Sequence, residues 1–200
     1  MNLHTDIVIV GAGVSGLYCA LNLPENKQIL ILSKGSLDES DSFLAQGGIC
    51  VLKSADDYET YFEDTMRAGH YENNKESVDI MIRSSCGVIK DLIKFGVEFE
   101  RGKDGELLFT KEGAHSVPRI LFHKDITGKE ITSKLIEEVK RRKNITLAEN
   151  TAMVDMIEKD GECNGIIIKQ PDGNLSSVNA DYTVFATGGI GGLFENSTNC

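Results

Sequence analysis

At 200 residues and roughly 150 residues per domain, the chain has room for one domain or one and a half, so it can bury about 70% of its unfolded surface and is not a disulfide-stapled miniprotein. It is 40% hydrophobic and 26% charged, with 20 glycines and only three prolines, which excludes disordered and collagen-like classes. A net charge of −10 repels a phosphate backbone, so nucleic acid is not an expected partner.

The first 33 residues change hydrophobic period as a strand, helix, strand unit requires. Asp6–Val10 is a β-branched run, expected of a parallel strand buried on both faces. A helical stretch follows from Val14 to Leu23, closed by Pro24, and Gln28–Leu32 reads as a second buried strand. Between them lies Gly11-Ala12-Gly13-Val14-Ser15-Gly16, which fits GxGxxG after a strand and opening a helix. The first glycine permits a tight turn, the second lets backbone approach a pyrophosphate, and the third allows close packing of helix on strand. The helix N-terminus then holds the diphosphate. An acid that takes the ribose hydroxyls usually ends the second strand. Ser33-Lys34 stand there instead, so this motif leaves FAD and a nicotinamide cofactor equally open.

Ser40–Gly48 is too polar and glycine-rich for core and reads as a loop. Its paired Gly47-Gly48 allow backbone to approach a flat ring, and the Gln46 amide can donate and accept. As bare chemistry the segment suits an ordinary loop and a cofactor clamp equally. Helical patterns follow over Tyr58–Ala68 and Ser77–Phe95, the second ended by Gly96. Phe99–Phe109 reads as a hairpin around Gly102–Gly105, leading into a polar segment, Thr110–His123. A further helix is expected over Lys129–Arg142, with Thr127 as cap and Ile131, Leu135, Ile136 and Val139 on its buried stripe. Its closing Lys140-Arg141-Arg142-Lys143 complements the helix dipole. Ile145–Leu147 returns as a short strand. From Thr151 onward, β-rich runs broken at Asp160-Gly161 and Asp172-Gly173 predict an antiparallel meander. Tyr182–Thr187 reads as another buried strand ending in Gly188-Gly189.

Five scattered cysteines without a CxxC pair read as small apolar residues in a reducing cytosol. His4, His70, His115 and His123 show no metal-ligand spacing. No apolar run approaches the roughly 20 residues that span a bilayer, and Asp6 stands where a signal peptide would be basic. The expected location is the cytoplasm, with no membrane partner.

Along its whole length the chain resembles the flavoprotein family that joins the flavin subunits of succinate dehydrogenase and fumarate reductase with L-aspartate oxidase, most closely the oxidase branch. The resemblance rests on Gly11–Gly16, Leu32-Ser33-Lys34-Gly35, Ser42-Phe43-Leu44-Ala45-Gln46-Gly47-Gly48, Glu112-Gly113-Ala114-His115-Ser116, Arg119–Leu121 through Asp125–Gly128, and Ala186-Thr187-Gly188-Gly189. It implies an α/β fold: a Rossmann-like FAD-binding domain with a parallel sheet plus an antiparallel meander. The cofactor implied is FAD, contacted by Gly11–Gly16, Ser33 or Lys34, Asp41–Gly48 and Ala186–Gly188. Asp41 occupies the position where many relatives attach flavin to a histidine, so the FAD would be noncovalent.

Glu112 matches the glutamate with which the oxidase orients the amino group of aspartate, whereas dicarboxylate reductases carry no matching carboxylate. A carboxylate suits an ammonium and repels succinate. A solvated loop acid is the alternative reading of Glu112, and Ala114 departs from the more usual glycine. The implied function is FAD-dependent oxidation of L-aspartate to iminoaspartate, with oxygen or fumarate as acceptor. That places it in NAD biosynthesis and implies a functional link to quinolinate synthase. The alternatives are a soluble fumarate reductase or succinate dehydrogenase flavoprotein, or a non-catalytic flavin-binding fragment. Family members are much longer. Residues 1–200 are therefore expected to form the N-terminal portion of the FAD-binding domain, without the capping domain, the last flavin-binding segment, or the arginine and histidines of catalysis, and to be inactive alone.

Overall fold

The computed structural model describes residues 2–197. In chain order the first elements are β1 (Asn2–Val10), α1 (Val14–Asn22), β2 (Ile29–Leu32), α2 (Asp41–Leu44), β3 (Ile49–Cys50), α3 (Tyr58–Ala68) and α4 (Lys75–Lys94). Then follow β4 (Ile120–Leu121), α5 (Thr127–Arg141), β5 (Ile145–Ala148), β6 (Ala152–Lys159), β7 (Glu162–Lys169) and β8 (Leu175–Phe185). They form two compact units: the chain up to Ala45 together with the chain from Ile131, and Gln46–Glu130.

The first unit is built on one six-stranded sheet, ordered β5-β2-β1-β8-β7-β6. Strands β5, β2, β1 and β8 run parallel, and β8, β7 and β6 antiparallel. The parallel sheet with an antiparallel meander is thus present, and β8 belongs to both parts. Ile7–Val10 are buried, as a β-branched run between two neighbours should be. β1 starts earlier than its apolar run because Leu3 and Thr5 pair with Val178 and Ala180 of the long β8. The core joins Val8, Val10 and Leu32 to Ile166, Ile168 and Val178. α1 buries Gly16, Leu17, Ala20 and Leu21 as a helical stripe, and stops at Leu23, which is extended before Pro24. α5 enters this unit at Ile131 and buries that residue with Leu135, Ile136 and Val139. At its end Arg142 pairs with Glu25 and Glu138.

The expected buried strand Tyr182–Thr187 is corrected. β8 ends at Phe185, and Tyr182 and Phe185 are exposed. Pairing with β7 stops at Asn179, so beyond that point β8 has β1 on one side only and lies at an edge. Cys163 is also exposed, unlike the small apolar residue expected there. The loop expected over Ser40–Gly48 contains the helical turn α2, because the Ser40 hydroxyl accepts the Phe43 N–H at 3.2 Å.

In the second unit α3 and α4 share a core of Tyr61, Met66, Val78 and Ile82. Asn74 caps α4 by accepting the Ser77 N–H at 3.0 Å. Gly96, at φ +93°, takes the chain out of that helix as expected. β3 and β4 form a separate antiparallel pair. The hairpin expected over Phe99–Phe109 reduces to one bridge, Arg101 to Leu107. Arg101–Glu106 holds two glycines and four charges, leaving no apolar cross-strand pairs to extend a ladder. Thr127 is the first residue of α5 and does not cap it; its hydroxyl accepts the His123 N–H at 3.0 Å.

Candidate functional site

In the first unit β1, β2 and β8 end level, with Val10 opposite Leu32 on one side and Phe185 on the other. The chain leaves β1 between two neighbours reached in opposite directions, which is where doubly wound sheets place their ligands. Gly11 donates its N–H to Leu32 O at 3.0 Å, and Ala186 donates to Val10 O at 2.9 Å. Gly11 sits at φ +115°, and a Cβ there would collide with the Ala186 carbonyl; one on Gly16 would collide with the Gly11 carbonyl. The first and third glycines are therefore required by backbone crowding. A Cβ on Gly13 would lie 3.1 Å from Ser42 Oγ.

A cleft of about 900 Å³ opens at this edge, lined by residues 11–15, 33–36, 38–42, Leu44 and 185–189. That is the size of a cofactor site. Gly13 provides no side-chain cap and the first turn of α1 carries no acid, so apart from one N–H taken by a serine hydroxyl the positive end of the helix can face a ligand. Val14 N–H donates to Ser42 Oγ at 3.1 Å. Among the described lining residues Lys34 is the one cation, beside Asp38, Glu39 and Asp41. The lining therefore offers an anion backbone N–H groups more than side-chain charge, while its acids suit hydroxyls. The Ser33 backbone is fixed, donating to Ala148 O and accepting from Thr151 N–H, each at 2.8 Å.

The cleft thus gathers Gly11, Ala12, Gly13, Val14, Ser15, Ser33, Lys34, Asp41, Ser42, Leu44, Ala186, Thr187 and Gly188 of the expected set. Gly16, Phe43 and Ala45 do not line it. Gln46, Gly47 and Gly48 open the second unit. There a Cβ on Gly48 would collide with the Ile120 side chain and the Leu121 carbonyl, so β4 already requires that glycine. Asp38 and Glu39 line the cleft as well, outside the set expected from the sequence. Their readable signal is Ser36-x-x-Glu39, a capping box in which the Ser36 N–H donates to Glu39 Oε2 at 3.2 Å.

The second unit holds a buried charge cluster. Arg119 is fully buried. Its Nη2 and Nε donate to the two Asp57 oxygens at 2.7 and 3.2 Å, and its Nη1 donates to Asp64 Oδ2 at 2.7 Å. Asp64 accepts three further bonds: Ser116 N–H at 2.7 Å, Ser116 Oγ–H at 2.8 Å and Arg67 Nη2 at 2.5 Å. Burial alone would raise the Asp64 pKa, but the Ser116 and Arg donors outweigh it and hold the carboxyl well below the ordinary range. His115 lies 3.0 Å from Arg119 Nη1 through Nδ1 and 3.1 Å from Cys50 Sγ through Nε2. Burial, then the adjacent guanidinium, lowers its pKa against the pull of Asp64, Asp57 and Glu112. A cavity of about 490 Å³ beside the cluster is lined by Gly48, Cys50, Tyr61, Asp64 and His115 among others.

Glu112 is exposed and starts the turn that carries His115, whose N–H donates to Glu112 O at 3.2 Å. Its carboxylate lies 3.4 Å from where a Cβ on Gly47 would stand. No group of His, Cys, Asp and Glu among the described residues can hold a metal ion. No helix among them is long and apolar enough to cross a membrane.

A profile of the FAD binding domain family matches residues 6–199. The chain is 48% identical over 199 residues to L-aspartate oxidase of Clostridium perfringens, covering 100% of this chain and 45% of that protein. It is 43% identical to L-aspartate oxidase of Clostridium acetobutylicum, covering 100% and 46%. Among solved structures, an E. coli quinol fumarate reductase superposes with a TM-score of 0.93 at 26% identity, covering 100% of this chain and 35% of that one. The chain spans less than half the length of these relatives.

Proposed function

Because the chain belongs to the FAD binding domain family, we propose that the cleft at the ends of β1, β2 and β8 is where it holds FAD, as part of an enzyme that oxidises L-aspartate to iminoaspartate. The observation that carries this reading is the crowded glycine turn at a roomy cleft, with an acid-free helix N-terminus aimed at it. The backbone at Gly11–Ser15 would hold the diphosphate. Asp38 and Glu39, with Ser33 and Lys34, would hold the adenosine ribose, and Ala186–Gly188 would border the cofactor. Asp41 offers no imidazole for covalent attachment, so the FAD is held noncovalently. Asp41–Gly48 serve as its second contact segment in this reading, together with Gly16 as the packing glycine of the turn.

FAD, when bound, accepts the hydride of the reaction. The chain's own residues bind and orient. Glu112 orients the substrate by facing its ammonium, which distinguishes aspartate from fumarate, the other dicarboxylate of this proposal. The acid's exposure on the turn before His115 leaves its carboxylate available for that contact. Resemblance to L-aspartate oxidases also supports a place in NAD biosynthesis in the cytoplasm, supplying iminoaspartate to a quinolinate synthase. Oxygen and fumarate are the proposed acceptors.

A charge-assisted contact to an ammonium contributes about 1.5–3 kcal/mol, or roughly one to two decades in affinity. Glu112→Gln in the full-length, flavin-loaded protein should therefore lower kcat/KM for aspartate by about 10- to 100-fold and spare fumarate reduction. Equal loss of both activities would make Glu112 structural. Acid precipitation should release all flavin to the supernatant; yellow colour in the pellet would refute noncovalent binding.

A further inference from the structure

The guanidinium of Arg119 has four of its five N–H donors accounted for, two on Asp57, one on Asp64 and one on His115. Its plane also lies over the Tyr61 ring, 4.9 Å from the centroid, and Tyr61 meets His115 edge-on at 5.7 Å. A guanidinium is always a donor. The His115 nitrogen it touches, Nδ1, must therefore be the acceptor, and the ring proton sits on Nε2, directed at Cys50 Sγ 3.1 Å away. Protonation of Nδ1 would set two donors against each other beside a buried cation.

The same cluster grips the turn at its neighbouring residues. Asp64 takes both the N–H and the hydroxyl of Ser116, and Arg67 reaches the Ala114 carbonyl at 3.3 Å. Gly113 supplies the positive φ, +47°, that lets the chain double back between Glu112 and these anchors. Glu112 joins the hydrogen bonds of this turn through its backbone carbonyl, so the three consecutive residues after Gly113 are fixed while the acid before it stays exposed, its charge still felt at His115.

We propose that Arg119 is the positioning residue of the Glu112–Ser116 turn: seated by Asp57 and Asp64, it holds His115 as the neutral Nε2–H tautomer and thereby fixes the turn from which Glu112 projects. The consequence for substrate rests on the aspartate reading above; the tautomer and the anchoring of the turn do not. The charged and titratable groups facing His115 are Arg119, Asp57, Asp64, Glu112, Cys50 and Tyr61. Among these, Arg119 is the cation that opposes its protonation.

The test uses the full-length, flavin-loaded protein labelled with 15N and 13C in histidine, with His115 assigned by the signal lost in His115→Gln. In the wild type, long-range 1H–15N correlations should show the proton on Nε2, and the ring should titrate below the ordinary value of about 6.5. A proton on Nδ1, or titration at or above that value, overturns the assignment without any variant. Arg119→Lys keeps the charge but cannot fork between two carboxylates and an imidazole. It should release the ring proton from Nε2 to a mixture of Nδ1 and Nε2 tautomers and raise KM for aspartate about tenfold, the effect of one mispositioned hydrogen bond, with kcat little changed. A folded Arg119→Lys protein with unchanged His115 signals and unchanged KM refutes the role. If the His115 signals behave as stated while Glu112→Gln leaves aspartate kinetics intact, the positioning stands and the substrate reading falls.

Discussion

The two units bury different things. In the first, the buried polar residues among those described are all threonines, Thr5, Thr132 and Thr151, and the cleft is shaped by backbone that glycine permits to come close. In the second, Asp64 and Arg119 lie in the interior with Asp57 at its margin, and the turn that follows Glu112 is held by charge. A site made of backbone depends on what is missing, a Cβ at two positions. A site held by buried charge depends on every partner being present, since desolvation makes any one left alone expensive.

The contrast can be broken most severely from the second unit. Arg119→Met should destabilise the protein by about 3–5 kcal/mol, because it strands the Asp64 carboxylate in the interior and that of Asp57 at its margin. Adding Asp57→Asn and Asp64→Asn should recover a large part of that loss. Urea unfolding of the single and triple variants checks both statements; a single variant within 1 kcal/mol of wild type, on the order of an exposed pair, would mean that the cluster is not a desolvated network.

In the first unit the largest response should come from Gly11→Ala. The strained φ alone costs about 1–3 kcal/mol, and the collision with the Ala186 carbonyl adds to it. Flavin content, read from the 450 nm absorbance per protein, should fall with it. Retention of full flavin and stability would show that the β1 exit can shift away from β8.

The smallest effect sharpens the distinction. Ser42→Ala removes the hydroxyl that accepts the Val14 N–H, a loss of about 0.5–1 kcal/mol for a helix-capping contact. Flavin affinity, measured by fluorescence quenching on reconstitution, should change by less than about fivefold. A loss of two decades would assign the cofactor's hold to this side chain instead of to the backbone.

What could be read from the sequence follows the same division. Asp6–Val10, the glycine turn and Gln28–Leu32 were legible because the signals are local: a period, a glycine spacing, a proline stop. Asp160-Gly161 and Asp172-Gly173 marked the meander for the same reason, and Asp160, Gly161 and Gly173 do adopt positive φ. Tyr182–Phe185 misled because β-branched and aromatic composition records strand propensity, and the number of neighbouring strands is decided elsewhere. α2 is not legible in the sequence, since a single turn leaves no periodicity, only a cap.

The sequence by itself determined the open sheet, its helices, and the glycines without which backbone could not turn at Gly11 or close on it at Gly16. Tertiary structure alone decided that Asp57, Asp64 and Arg119 meet, across separations of 55 and 62 residues. Each is an ordinary charged residue in a sequence where 26% are charged, and nothing local distinguishes a charge bound for solvent from one bound for the interior. Burial is a property of what folds over a residue, and for these three that is chain more than fifty positions away.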